Sequence, residues 1–172
     1  MPTPICYQPI GVIHTPYTTL EGMPIQPVGA RGVRGRVEIF PEFTPGLQDL
    51  AGFSHITLLY HLHRSAGFEL IVRPFLDTEP RGLFATRAPR RPNPIGLSTV
   101  RLLAVHEQFL EVEGVDMLDG TPLLDLKPYL PEFEPVEEIR RGWLEDAAWK
   151  AQSARSDRRF SPDEPPDQAA KP

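Results

Sequence analysis

The stretch Leu97-Ser98-Thr99-Val100-Arg101-Leu102-Leu103-Ala104-Val105, then His106-Glu107-Gln108, then Phe109-Leu110-Glu111-Val112-Glu113-Gly114-Val115-Asp116 reads as two strands joined by a tight turn. β-Branched and aromatic residues in near-alternation suit a pleated, half-buried ladder, and the short polar interruption is a hairpin connection. Working outward, similar runs occupy residues 5–14, 35–40, 54–63, 68–75, 82–86 and 123–127, separated by turn residues. Many short strands with few helical patterns predict a mainly β chain, either a closed barrel or a sandwich.

Composition supports that reading. Of 172 residues, 21 are proline, and proline removes a backbone donor and breaks helix interiors, which argues against a helical bundle. Two peripheral helices are predicted. One is short, with Thr44 as N-cap and Pro45 at its first position. The other spans 136–151, where Val136, Ile139, Trp143, Leu144 and Ala147 share a face. Trp143 and Trp149 read as core or interface anchors. From about Ser153 the chain is rich in Ser, Asp, Arg and Pro, which predicts a disordered tail over 153–172.

Cys6 is the single cysteine, so no internal disulfide forms. Beside Ile5 and Tyr7 it reads as a small core residue. No secretory leader or apolar run of bilayer length is visible, so a cytoplasmic protein is expected, with no membrane partner. The net charge of −5 argues against a broad phosphate-binding surface. The charge is uneven, however: residues 81–101 carry five arginines and no acid, which suggests a local anion site.

Three constellations carry possible chemistry. In Arg87-Ala88-Pro89-Arg90-Arg91-Pro92-Asn93-Pro94, prolines stiffen a loop whose guanidinium groups can grip a carboxylate or phosphate. A solvated turn is the plainer reading of that loop. Asp119-Gly120 marks a turn, after which Asp125, Lys127 and Tyr129 alternate on one face of an extended segment. His61 and His63, roughly 7 Å apart on a strand, are close enough to share a metal, although further ligands are not evident. No dinucleotide-type glycine loop or serine-hydrolase elbow is present.

Several blocks together resemble the TsaA-like family, the TrmO type of tRNA methyltransferase. They are Pro9-Ile10-Gly11-Val12-Ile13-His14, Phe53-Ser54-His55-Ile56, Phe84-Ala85-Thr86-Arg87, Arg91-Pro92-Asn93-Pro94-Ile95-Gly96-Leu97-Ser98 and Asp119-Gly120-Thr121-Pro122 with Asp125-Leu126-Lys127-Pro128-Tyr129. The likeness runs from about Tyr7 to Tyr129. It implies a single closed β-barrel over 1–135, followed by the helix over 136–152, packed on the barrel or a dimer interface, and then the tail.

The resemblance also implies a homodimer that binds S-adenosyl-L-methionine and methylates N6 of threonylcarbamoyladenosine beside the tRNA anticodon. DNA is not an expected partner. By motif position the cofactor site comprises Gln26, Pro27, Val28, Leu62, His63, Arg87, Leu97, Leu118, Asp119, Gly120 and Thr121. That assignment takes His63 away from a metal.

The chemistry adds to it. A carboxylate such as Asp119 favours a cationic methyl donor. Arg90, Arg91 and Lys127 suit the substrate's carboxylate and phosphates, with Asn93 and Tyr129 assigned to the same surface. Asp125 is the candidate base for the N6 proton. A cofactor-binding regulatory protein is the alternative of another class, and a cupin-like metal barrel built on His61, His63 and Glu69 is the third.

Overall fold

Alternation of large apolar and smaller or polar residues makes residues 55–61 a strand with one face inward: Ile56, Leu58 and Tyr60 are buried, while their neighbours are half-buried. The computed structural model describes residues 3–133 and 137–161. In it this strand, β3 (His55–His61), pairs on one side with β6 (Ile95–His106) and on the other with β8 (Thr121–Pro128). The hairpin partner of β6 is β7 (Phe109–Glu113), which pairs with β2 (Arg34–Ile39). β2 in turn pairs with β1 (Gly11–His14), and β1 closes the ring on β8.

Every pairing is antiparallel, and the expected closed barrel is found, in the order β1-β2-β7-β6-β3-β8. A small separate ladder joins β4 (Ile71–Val72) to β5 (Arg81–Gly82). Inside the barrel lie Ile13, Val37, Ile39, Ile56, Leu58, Val100, Leu102, Leu110, Val112 and Leu123, each under one-tenth exposed. Burial of each such side chain contributes about 1.5–3 kcal/mol.

The β3–β8 register shifts between Leu59 and Tyr60, so Leu59 faces Asp125 and Tyr60 faces Leu123. Opposite Tyr60 on β6 sits Gly96. A Cβ there would lie 2.1 Å from the Tyr60 ring, so the ring occupies the space a side chain would need.

The predicted boundaries shift at several points. Residues 5–9 do not join the barrel, and Ile5, Cys6 and Tyr7 are exposed, so Cys6 is not a core residue. The expected strands over 68–75 and 82–86 shrink to the two-residue β4 and β5. The helix after Thr44 is instead a 3₁₀ turn over Pro41–Leu47 with Phe40 at its N-cap, and proline at its first position starts it early.

The C-terminal helix is replaced by 3₁₀ turns at Gly142–Leu144 and Ala148–Gln152. Glu138 and Gly142 both have positive φ, which interrupts an α-helix, and Ile139 and Trp149 remain 65% and 68% exposed. Val136, the first residue of that expected helix, lies outside the described residues.

The tail is a further correction. Over 153–161 it is tied down: Ser156 exchanges backbone hydrogen bonds with Gly22 and Met23, and its hydroxyl donates to the Leu20 carbonyl. Phe160 packs edge-on against Phe75, with ring centres 5.1 Å apart, beside Val72, Leu83 and Ala88. Composition favours disorder here, but one aromatic anchor and a hydrogen-bonded clasp offset it. Residues 162–172 lie outside the described part of the chain.

Two measurements check this account. Gly96→Ala forces the Tyr60 ring from its place and is expected to cost about 1–3 kcal/mol in chemical denaturation. Phe160→Ala is expected to accelerate amide hydrogen exchange over 153–161 while leaving β3 and β6 as protected as before.

Candidate functional site

A cavity of about 800 Å³ opens at the end of the barrel where β3 finishes and β6 begins. Its walls come from several parts of the chain, among them Met23, Pro24, Ile25 and Gln26 before β2. The barrel supplies Tyr60, Leu62 and His63 from one strand end and Ile95, Gly96 and Leu97 from the other. The loop after β7 supplies Asp116, Met117 and Leu118, and Thr121 adds the first residue of β8. The segment 84–91 and the clasped tail complete it, the tail through Trp143, Leu144, Ala151, Ser156, Asp157 and Phe160.

The arginine loop is ordered by its own hydrogen bonds. Thr86 Oγ1 donates to the Leu83 carbonyl and accepts from the Ala88 amide. Arg91 Nη1 donates to the Thr86 carbonyl at 3.1 Å, and its guanidinium stacks over Phe84. Ser65 Oγ holds the Pro89 carbonyl at 2.9 Å. This is a built loop rather than a solvated turn. Arg87 reaches across to Gln26, donating to Oε1 at 2.9 Å, and so joins two segments assigned by motif to the same ligand.

Of the expected cofactor residues, Gln26, Leu62, His63, Arg87, Leu97, Leu118 and Thr121 line the cavity. Burial, with the charge of Arg64 next, pushes the His63 imidazole below its usual range, so it is neutral at pH 7. Thr121 is buried and donates to the Leu118 carbonyl at 2.7 Å, which fixes that loop. The other expected cofactor residues stand back from the cavity. Pro27 and Val28 form a 3₁₀ turn beneath the 148–152 segment. The Asp119 amide donates to the Tyr17 carbonyl and the Gly120 amide to that of Ile13, so this turn holds the chain that follows β1. The Asp119 carboxylate accepts from the Thr15 amide at 3.1 Å and pairs with His14.

The expected substrate residues divide. Arg91 lines the cavity, but Arg90 does not: it is buried, and its guanidinium donates to the Ser161 carbonyl beneath the tail. Asn93 is exposed outside the cavity. Asp125, Lys127 and Tyr129 also lie away from it. Asp125 is paired with Lys127 at 2.7 Å on the outer face of β8, and the Tyr129 amide donates to His55. Asp125 therefore sits outside the cavity. Among the described residues no three His, Cys, Asp or Glu side chains come together as a metal site, and His63 is committed to the cavity wall.

One acidic group in the cavity had no role in the sequence reading. Asp116 borders the cavity and accepts a hydrogen bond from Ser98 Oγ at 2.7 Å. Ser98 lies 3.0 Å from the Tyr60 hydroxyl. Burial raises the Asp116 carboxyl to about 6, against the opposing effects of the Ser98 hydrogen bond and the Arg87 charge. Burial and the negative charge of Asp116 hold the Tyr60 phenol above its ordinary range, so it stays protonated. Sequence placed Asp116 only at a strand end; the signal that could have found it is the pair of hydroxyls, Tyr60 and Ser98, on inward positions of neighbouring strands, diagonal to one another.

Comparison with known proteins agrees with this architecture. A family model described as the tRNA-methyltransferase O N-terminal domain matches residues 12–135. A probable S-adenosyl-L-methionine-binding protein of Pyrococcus abyssi is 52% identical, covering 93% of this chain and 87% of its own. The tRNA (adenine(37)-N6)-methyltransferase of Escherichia coli is 34% identical, covering 82% of this chain and 64% of its own.

The crystal structure of TrmO from Pseudomonas aeruginosa superposes with a TM-score of 0.68 at 36% identity, over 82% of this chain. The present chain spans 63% of that protein's length. With the barrel, its cavity and the match over 12–135 in agreement, the chain belongs to the tRNA-methyltransferase O N-terminal domain family.

Proposed function

We propose that this chain binds S-adenosyl-L-methionine in the cavity and methylates N6 of an adenosine in the tRNA anticodon loop. The observation that carries the proposal is the donor set of the cavity. Leu62, Leu97 and Leu118 give apolar walls suited to an adenine ring. Arg87 offers a guanidinium for an amino-acid carboxylate, and the Asp157 carboxylate, paired with Arg159, borders the same space. A ligand that joins an adenine ring to an amino-acid carboxylate needs apolar walls and a guanidinium together, so the residues present fit that cofactor. When bound it supplies an electrophilic methyl group. Gln26, Leu62, His63, Arg87, Leu97, Leu118 and Thr121 are the residues that would hold it.

The finer substrate we propose is threonylcarbamoyladenosine at position 37; the bacterial and human relatives are named for adenine 37. Arg91, at the cavity edge and held over Phe84, is placed to meet the threonyl carboxylate. The protein is proposed to act in the cytoplasm, where tRNA is found. Among the described residues no helix is long and apolar enough to cross a membrane. We further propose a homodimer, since Phe133, Ile139 and Trp149 leave large apolar surface exposed at the C-terminal side.

The deciding experiment incubates the full chain with methyl-labelled S-adenosyl-L-methionine and tRNA with or without the threonylcarbamoyl group. Transfer dependent on that group is expected. Cofactor binding with no transfer to either tRNA would establish the regulatory reading instead. Arg87→Ala, which removes a charge-assisted contact of roughly 1.5–3 kcal/mol, is expected to weaken cofactor affinity by at least about tenfold in calorimetry. Light scattering at tens of micromolar is expected to give twice the chain mass.

A further inference from the structure

We propose that Asp116, aimed by a Tyr60–Ser98 hydrogen-bonded line, is the base that takes the N6 proton during methyl transfer; this deepens the proposed function and rests on it.

The direction of that line is fixed by donor arithmetic. An ionised Asp116 has no proton to give, so the Ser98 hydroxyl spends its single hydrogen on Oδ1. Ser98 Oγ must then accept from the Tyr60 hydroxyl, which is buried and keeps its proton. One carboxylate oxygen is thereby occupied, while the residue still borders the cavity. Ser98 holds Oδ1, so Oδ2 is the oxygen assigned to receive the proton. The three groups come from β3, β6 and the loop after β7, so the base is held by the barrel rather than by a mobile side chain. Gly96 permits the arrangement by admitting the Tyr60 ring.

The ionisable groups facing Asp116 are Tyr60 on β3, Arg87 on the arginine loop and Tyr17 on the segment after β1. Only Arg87 is charged at neutral pH, and it favours the ionised base. The chemistry balances with a methyl sulfonium donor. The N6 lone pair forms the new N–C bond, the C–S bond breaks with its electrons left on sulfur, and the N6–H proton passes to Asp116. A nitrogen attached to a carbonyl is a very weak base, so its proton becomes strongly acidic as the new bond forms. A carboxylate that titrates near 6 is then well matched to receive it at pH 7. Loss of positive charge from the cavity at the same moment raises the proton affinity of Asp116 further.

The test compares the full-length wild type with Asp116→Asn, which keeps shape and leaves an oxygen for Ser98. Three readouts are taken: S-adenosyl-L-methionine affinity by calorimetry, single-turnover methyl transfer to modified tRNA from pH 5 to 9, and thermal stability. Expected are an affinity within about threefold of wild type and a rate lower by about 10²–10⁴-fold. The acid-side fall of the wild-type rate near pH 6 is expected to vanish.

Stability supplies the folding control. Folded Asp116 holds its proton up to about 6, whereas an unfolded aspartate loses it near about 4. This group's contribution therefore declines as pH rises between those values, and the Asn variant escapes the decline and melts higher at pH 7. Ser98→Ala, which releases the carboxylate, is expected to shift the acid limb of the rate without the full loss. A large loss of cofactor affinity with an unchanged rate at saturation would make Asp116 a counter-charge to the donor and overturn the assignment. An unchanged rate and affinity would also overturn it. A wild type that transfers no methyl to any tRNA removes the proposed function and the base with it, and so is told apart from failure of Asp116 alone.

Discussion

Buried backbone needs a partner on both sides of every strand, and here that requirement is met by β1 lying between β2 and β8. If β1 failed to bridge them, two edges would open and the apolar side chains of Ile13, Val37 and Leu123 would meet water. Closure also decides where ligands can go. The interior of a six-stranded barrel is filled by side chains, so a cavity can form only at a rim, where strands end and loops take over. The space bounded by His63, Leu97 and Leu118 is such a rim.

Much of this was legible in the sequence. Near-alternation on 97–105 and 109–116 marked the hairpin of β6 and β7, although His106 joins β6, β7 stops at Glu113 and Glu107 enters the left-handed region in a tighter turn. Motif order also collected Gln26, Leu62, Arg87, Leu97 and Thr121, which lie far apart in sequence and meet on one wall. What could not be read was orientation. Asp125 and Asp116 are both acids near strand ends, and only the shift of register beside Tyr60 shows which way β8 turns its side chains. Arg90 and Arg91 are adjacent in sequence, yet one is covered by the tail and the other faces the cavity.

The C-terminal segment shows a different limit. Composition reports how much apolar surface a segment brings, not whether a receptor for it exists elsewhere. Phe160 finds Val72, Leu83 and Ala88, three small or medium residues that leave room for one ring. Trp143 donates its indole N–H to the Ala85 carbonyl and lies beneath Arg81, so a residue read as an anchor also forms part of the cavity wall. These residues fall beyond 135, where the family match stops, so the cavity's shape depends on more of the chain than the family domain alone.

The clasp at Ser156 has a bearing on the order in which the molecule assembles. It joins residues 133 apart in sequence, and the entropy lost on closing a loop grows with loop length. Local hairpins such as β6–β7 form without that cost, whereas the clasp and the β1–β8 seam, whose partners lie comparably far apart, both wait on long-range closure. The cavity thus acquires its last wall only once the two ends of the chain have come together.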